Sequence, residues 1–214
     1  SAVGIREGVN RLAKFAKITA AGQGAVVLAG RCASTRTSET FTCEFVYELP
    51  CAWDDIASVQ LITMGAAPAT GAISGVFADV KAIGSLSDLD GAWTGTTAVT
   101  WLTQTAVRLV GGATLARRAY QLSDTAAITP VARTDGGTRA LIACRALYGI
   151  GSYNFLGNNG ASDIYTSWSS RSAGLARIRR NTTAGDQRTA TSNWATEQFS
   201  PVVGFAYSTI KPHI

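Results

Sequence analysis

The chain has 214 residues, of which 46% are hydrophobic and only 15% charged, and it carries 22 glycines. That length can bury a core, while low charge with abundant Gly, Ser, Thr and Val argues against a set of amphipathic helices and for short strands and tight turns. The 19 basic against 14 acidic side chains give a net charge of +5 and a pI near 9.2, which permits contact with anionic partners.

Residues 3 to 17 predict a helix. Ile5, Val9, Leu12, Ala13 and Ala16 recur at helical spacing, and Arg6, Asn10, Lys14 and Lys17 take the other side. Such a stripe packs on its own sheet or docks on a neighbour, which makes Ile5, Val9, Leu12 and Ala16 the candidate assembly face. Ala20-Ala21-Gly22-Gln23-Gly24 then breaks the helix and reads as a linker. Residues 1–24 are therefore expected as a helical arm with its linker, and 25–214 as one β-domain.

From residue 25 the pattern changes to period two or to short apolar runs. Ala25 to Leu28, Phe41 to Tyr47 and Ser58 to Met64 read as strands. The second places Phe41, Cys43, Phe45 and Tyr47 on one side, and Thr42, Glu44, Val46 and Glu48 on the other. Pro50 is expected to end that strand, and Ala52 to Ile56 to turn into the next. Gly75 to Ile83, Thr97 to Trp101, Ala106 to Val110 and Gly174 to Arg179 are further strand candidates, with Ile164 to Trp168 as another. Leu115 to Leu122 is strand or a short helical turn, and Ser85 to Gly91 reads as a turn. Turn signals every eight to twelve residues or so mark a sandwich or barrel. Late in the chain, the stretch Thr134 to Tyr148 reads as a turn, with Asp135-Gly136-Gly137 holding two residues able to take positive φ, followed by the apolar residues of a core strand.

The segment from Gly149 to Asn193 differs in character, being rich in Gly, Asn, Ser and Arg. Polar loops carried by rigid strands are where β-domains place binding surfaces. Tyr153, Tyr165 and Trp168 among Asn158, Asn159 and Arg171 are residue types that stack on sugar rings and hydrogen-bond their hydroxyls. These six form the candidate carbohydrate site. Basic residues also gather here, in Arg171, Arg177, Arg179, Arg180 and Arg188, without the aromatic interleaving of a nucleic-acid motif. They read as a solvated basic face, and nucleic acid is not an expected partner.

Catalytic and metal constellations find no footing in the pattern. Cysteines stand at 32, 43, 51 and 144 with no C-x-x-C pair, and His213 is the one histidine, so no zinc site, other metal or cofactor is expected. Cys144 reads as a small buried hydrophobe. The thiols are expected reduced, with Cys43–Cys51 as the pairing to examine first. Asp54, Asp55, Asp79, Asp88, Asp90, Asp124, Asp135, Asp163 and Asp186 offer no spacing that singles out an acid–base pair, and most sit beside Gly, Ser or Thr, where Asp is a turn residue. Gly149-Ile150-Gly151 and Gly157-Asn158-Asn159-Gly160 lack the strand-to-helix context of a phosphate loop. Asn181-Thr182-Thr183 has the form of a glycosylation acceptor. There is no signal peptide pattern and no apolar run near 18 residues, so no membrane span is expected.

Arg133-Thr134-Asp135-Gly136-Gly137-Thr138 with the apolar strand after it, and Trp194 to Tyr207 followed by Ser208 to Ile214, resemble a domain of known context. It is the β-rich domain that precedes the catalytic domain in a group of bacterial and phage SGNH (GDSL-type) hydrolases. The resemblance covers roughly residues 130 to 214. Gly-Asp-Ser, which bears the family's nucleophile, does not occur here, and Gly157-Asn158-Asn159 only echoes its Gly-x-Asn-Asp block. Nor is there an Asp-x-x-His, since Ile210 stands three residues before His213. The resemblance therefore implies a non-catalytic accessory module, jelly-roll-like, of the kind found beside esterases of acylated glycans and in phage tail or spike proteins.

The expected fold is thus mainly β, a jelly-roll-like β-sandwich with a short N-terminal helix. The expected role is carbohydrate recognition or assembly at a virion or extracellular surface, with a glycan or cell-surface polysaccharide as partner. The alternative is a virion structural protein, a homo-oligomeric capsid or tail component anchored to its neighbours through residues 3 to 17.

Overall fold

The computed structural model describes residues 23–27, 33–36, 41–66, 76–102, 119–148, 153–156, 174–196 and 202–211. In chain order the strands are β1 (Gln23–Val27), β2 (Ala33–Arg36), β3 (Phe41–Ala52), β4 (Ile56–Ala66), β5 (Val76–Ile83) and β6 (Thr97–Val99). They continue with β7 (Ala119–Leu122), β8 (Ala126–Ala127), β9 (Arg139–Tyr148), β10 (Tyr153–Leu156), β11 (Leu175–Asn181), β12 (Trp194–Thr196) and β13 (Val202–Thr209). The helical element among the described residues is one 3-10 helix, Leu86–Asp90. The helix expected at 3 to 17, with Ile5, Val9, Leu12 and Ala16, lies outside the described residues, as do the strands expected at 106–110 and 164–168.

The chain is mainly β, in two antiparallel sheets. A seven-stranded sheet runs β1-β13-β4-β10-β2, with β7 and β8 also paired to β4. A six-stranded sheet runs β12-β11-β3-β9-β5-β6. The sheets share one sandwich-like core because period-two alternation gives each an apolar inner face. From the six-stranded sheet come Cys43, Phe45, Tyr47 and Leu49 of β3, Ile142 and Cys144 of β9 and Val80 of β5; the other sheet supplies Val59, Leu61, Val202 and Phe205. In register, Phe45 and Tyr47 of β3 stand beside Cys144 and Ile142 of β9, while the small Ala146 of β9 stands between Cys43 of β3 and Ala78 of β5. Across the core Phe205 stacks edge-on against Tyr47 at 5.3 Å and tilted against Phe45 at 5.8 Å. Cys51 and Cys144 are free buried thiols, so the Cys43–Cys51 disulfide is not formed. Burial, with Asp55 nearby, pushes the Cys51 thiol up to about 11.

Simple alternation fails at bulges, where an extra residue flips the side-chain parity. Between Ser58 and Ile56 the β4–β13 register shifts, so Ile56 joins Val59 in the core although they lie three positions apart. A second shift between Val202 and Gly204 turns both Val202 and Phe205 inward. Pro50 does not end β3, contrary to expectation. The strand runs on to Ala52, and Pro50 falls where the β3–β9 ladder is interrupted between Glu48 and Ala52. A residue without an N–H is tolerated where no ladder bond is due.

Other boundaries also differ from the sequence reading. β1 begins at Gln23, so Gln23 and Gly24 belong to a strand rather than a linker, paired with Ser208 and Tyr207. β1 is the last strand on its side of the sheet order, where a glycine costs less than in a central strand. The turn expected at 85–91 is the 3-10 helix, whose entry is fixed by the Asp88 carboxylate accepting the Gly84 and Ser85 N–H groups. In the turn before β9 only Gly136 takes positive φ, at 83°. Gly137 leaves room instead: a Cβ there would lie 2.4 Å from the Arg133 guanidinium, which spans from Asp135 to Glu48 and would have to move.

Candidate functional site

The outer face of the six-stranded sheet concentrates the charged chemistry of the described residues. Strand register sets Asp79 of β5 opposite Arg145 of β9, Arg145 opposite Glu44 of β3, and Glu44 opposite Arg179 of β11. Four adjacent strands thus carry a row of alternating sign, the cross-strand arrangement that attraction favours. Glu44 and Arg145 are both fully buried. Arg145 Nε donates to Glu44 Oε2 at 2.9 Å, and Arg179 Nε donates to Glu44 Oε1 at 2.8 Å. Arg179 Nη2 also lies 2.8 Å from that oxygen, as an ion pair without hydrogen-bond alignment.

Two loops cover this row. Residues 84–96, between β5 and β6, supply Leu89 and Trp93; residues 182–193, between β11 and β12, supply Arg188 and Ala190 and lead into Trp194. The Arg145 guanidinium lies between the two indoles, 4.4 Å from the Trp93 ring centroid and 4.6 Å from that of Trp194. Its Nη2 donates to the Leu89 carbonyl at 2.9 Å, and its Nη1 to the Arg188 and Ala190 carbonyls at 2.7 and 2.9 Å. Arginine suits the position because its planar fork stacks on aromatic faces while its edges donate in several directions. Burial lowers its proton affinity from the usual range, and Glu44 opposes that effect.

Around the clamp, further ties hold the loops down. Arg188 reaches Asp79 at 3.1 Å and Asp186 at 2.9 Å. Burial raises the Asp79 carboxyl above its ordinary value despite Arg188, whereas the Arg188 hydrogen bonds lower that of Asp186. The buried Trp93 N–H interacts with Asp79 without reaching full hydrogen-bond geometry. Lys81 Nζ stands over the Trp93 ring at 4.7 Å, and desolvation, with repulsion from Arg145 added to it, lowers its pKa. Thr42 Oγ1 accepts from the Gln187 N–H and donates to the Gly185 carbonyl.

For Arg179 and Arg188 this arrangement corrects the reading of the arginines as a solvated basic face; Arg171 lies outside the described residues. Arg179 and Arg188 are committed to Glu44 and Asp79, with side chains only 15% and 25% exposed. The sequon is closed as well. Asn181 is buried, its Nδ2 donates to the Ser192 carbonyl, and its Oδ1 accepts the Thr183 N–H, so it folds as an Asx turn rather than presenting a glycosylation acceptor.

Of the candidate sugar-binding residues, Tyr153 opens β10, opposite Arg36 of β2. Asn158, Asn159, Tyr165, Trp168 and Arg171 lie outside the described residues. What the structure does give is the chain path on either side of them. β10 belongs to the seven-stranded sheet and β11 to the six-stranded one, so the segment between passes from sheet to sheet. Its return is fixed at Gly174, whose φ of 101° and carbonyl bond from the Glu48 N–H leave no space for a side chain. Among the described residues no group of three His, Cys, Asp or Glu side chains is placed to hold a metal ion, and no helix is long and apolar enough to cross a membrane.

The sequence did not reveal the clamp. Glu44 and Arg145 stand 101 residues apart, and Arg145 interrupts the apolar run from Ala140 to Leu147. A single charge in such a run is the signal that could have prompted a search for a buried partner. Comparison with family models, with curated proteins and with solved structures gives no match for this chain.

Proposed function

We propose that the chain is a non-catalytic β-sandwich module, jelly-roll-like in type, that recognises carbohydrate through the polar segment between β10 and β11. The observation that carries this reading is the anchoring of that segment: it leaves one sheet at Leu156 and enters the other beyond Gly174, with both ends tied to strands. A segment rich in Tyr, Trp, Asn and Arg, joining a strand of one sheet to a strand of the other, has the composition and support of a glycan-binding loop. The ionisable groups assembled on the outer face favour scaffolding over chemistry, since their partners are one another and the loop carbonyls. The sequence resemblance to domains beside SGNH hydrolases supports a setting at a virion or cell surface, where weak individual sites gain strength by multivalent display.

Glycan-array binding by Trp168→Ala and Tyr165→Ala, with near-ultraviolet circular dichroism as the control for folding, tests the assignment. Binding is lost in both while the fold persists. Undiminished binding in both moves the site away from Tyr165 and Trp168. Intact binding accompanied by loss of assembly on deleting residues 1–20 favours the virion structural role in its place.

A further inference from the structure

We propose that Arg145 is a shared staple that makes the two loops covering the six-stranded sheet open and close as one unit. Each loop has its own ties to the sheet: Arg177 Nη1 donates to the Leu86 carbonyl at 3.4 Å on one side, and Arg188 pairs with Asp79 on the other. Those contacts would allow the loops to open separately. Arg145 differs in donating hydrogen bonds to carbonyls of both at once. One edge of its guanidinium is satisfied by Leu89 of residues 84–96, another by Arg188 and Ala190 of residues 182–193, and its faces by Trp93 and Trp194.

The coupling follows from what either opening leaves behind. If residues 84–96 lift, Nη2 loses its acceptor and one face of the cation loses its indole, while the other loop still covers part of the guanidinium and restricts its hydration. A buried donor without a partner is costly, and the cost is removed when the second loop also leaves and water reaches the group. The same holds in reverse. Opening therefore concentrates in a single cooperative event that exposes the Asp79–Arg145–Glu44–Arg179 row together, a local unfolding unit distinct from the apolar core. Arg179 supports the connection in weaker form, over Trp194 at 5.4 Å and 3.5 Å from the exposed Asp90.

Native-state hydrogen exchange resolved by residue tests the staple. The informative amides are Asp88 and Gly91 in the first loop and Thr182 and Ala190 in the second, all of them hydrogen-bonded within their own loop. In Trp194→Phe and Trp194→Ala, exchange at Asp88 and Gly91 rises at least tenfold although the substitution lies beside the other loop, and Trp93→Phe and Trp93→Ala raise exchange at Thr182 and Ala190 likewise. Amides of Ile142 and Cys144 in β9 are unchanged, which separates loop opening from global unfolding. In an Arg145→Met background the cross-loop effect falls to less than threefold. Acceleration confined to the substituted loop overturns the proposal, as does a cross-loop effect of the same size with and without Arg145. The phenylalanine variants keep the test available should the alanine variants fail to fold.

Discussion

On its inner face β3 presents Cys43, Phe45, Tyr47 and Leu49, and on its outer face Thr42, Glu44 and Val46, and both sets are buried. The inner set is held by rings packed against the opposite sheet. The outer set is held by an ion pair, a cation between two indoles and loop carbonyls, with a small apolar group of Val46, Ile83, Leu89, Trp93, Leu141 and Ala143 beside it. Burial on the inner face is non-directional and tolerates repacking. On the outer face the buried charged groups depend on named partners, so the same degree of burial is less forgiving there.

Removing one member of each region makes the contrast measurable. Arg145→Ala leaves the buried Glu44 carboxylate with Arg179 alone of its two arginine partners and strips the loop carbonyls of their donor, with an expected loss of about 3–5 kcal/mol. Phe45→Ala leaves a cavity and costs a similar amount, about 3–5 kcal/mol. The difference lies in what repairs the damage. Replacing both partners, Glu44→Leu with Arg145→Leu, removes the charge imbalance and is expected to be more stable than Arg145→Ala alone in urea unfolding. A double variant less stable than the single one would mean that the directional contacts outweigh the desolvation they require.

Glycines provide a second, smaller contrast. At Gly174 a Cβ would lie 2.5 Å from the Glu48 carbonyl oxygen and φ is 101°. Backbone cannot move aside, and Gly174→Ala is expected to cost about 1–3 kcal/mol from the dihedral alone, read as a lowered urea midpoint. At Gly137 the obstacle is the end of the Arg133 side chain, 2.4 Å away. That guanidinium can swing off, so Gly137→Ala is expected to cost less than Gly174→Ala while breaking the Arg133 pairs with Glu48 and Asp135. Equal midpoints for the two variants would show that Arg133 is as immobile as backbone.

The inner face was legible in the sequence because its signal is local. Phe41 to Tyr47 alternates as the strand requires, and β4, β5 and β9 fall close to where their apolar runs place them. Bulges were not legible, since the extra residue between Ile56 and Ser58 is an alanine that neither pattern excludes. The outer face was hidden for another reason: its partners come from four strands and two loops, and no local spacing records that Glu44, Trp93, Arg145 and Trp194 meet. The arginines of β11 were visible as charge but not as pairs. Of the candidate sugar site only Tyr153 has a described position, at the start of a strand whose existence the sequence did not indicate.

The smallest expected effect concerns pH, and its sign distinguishes carboxyls that are each paired with an arginine. Asp135, held by Arg133, is lowered to about 2, and Asp186, held by Arg188, is lowered from 3.8. A carboxyl whose folded pKa lies below its unfolded value contributes stability that is present above the unfolded value and lost as pH falls through the folded one. Asp79 has the opposite sign. Burial raises it above 3.8 even with Arg188 at 3.1 Å, so the folded chain takes up that proton first, and its contribution is present at low pH and lost as pH rises through the folded value. The urea midpoint of the wild type is therefore expected to fall as pH drops below about 4. Asp135→Asn and Asp186→Asn should make that fall shallower. Asp79→Asn should make it steeper, because it removes the one carboxyl of the three whose protonation favours the fold. A shallower fall in Asp79→Asn would mean that the Arg188 pair outweighs burial there, and that this part of the outer face behaves as an exposed ion pair does.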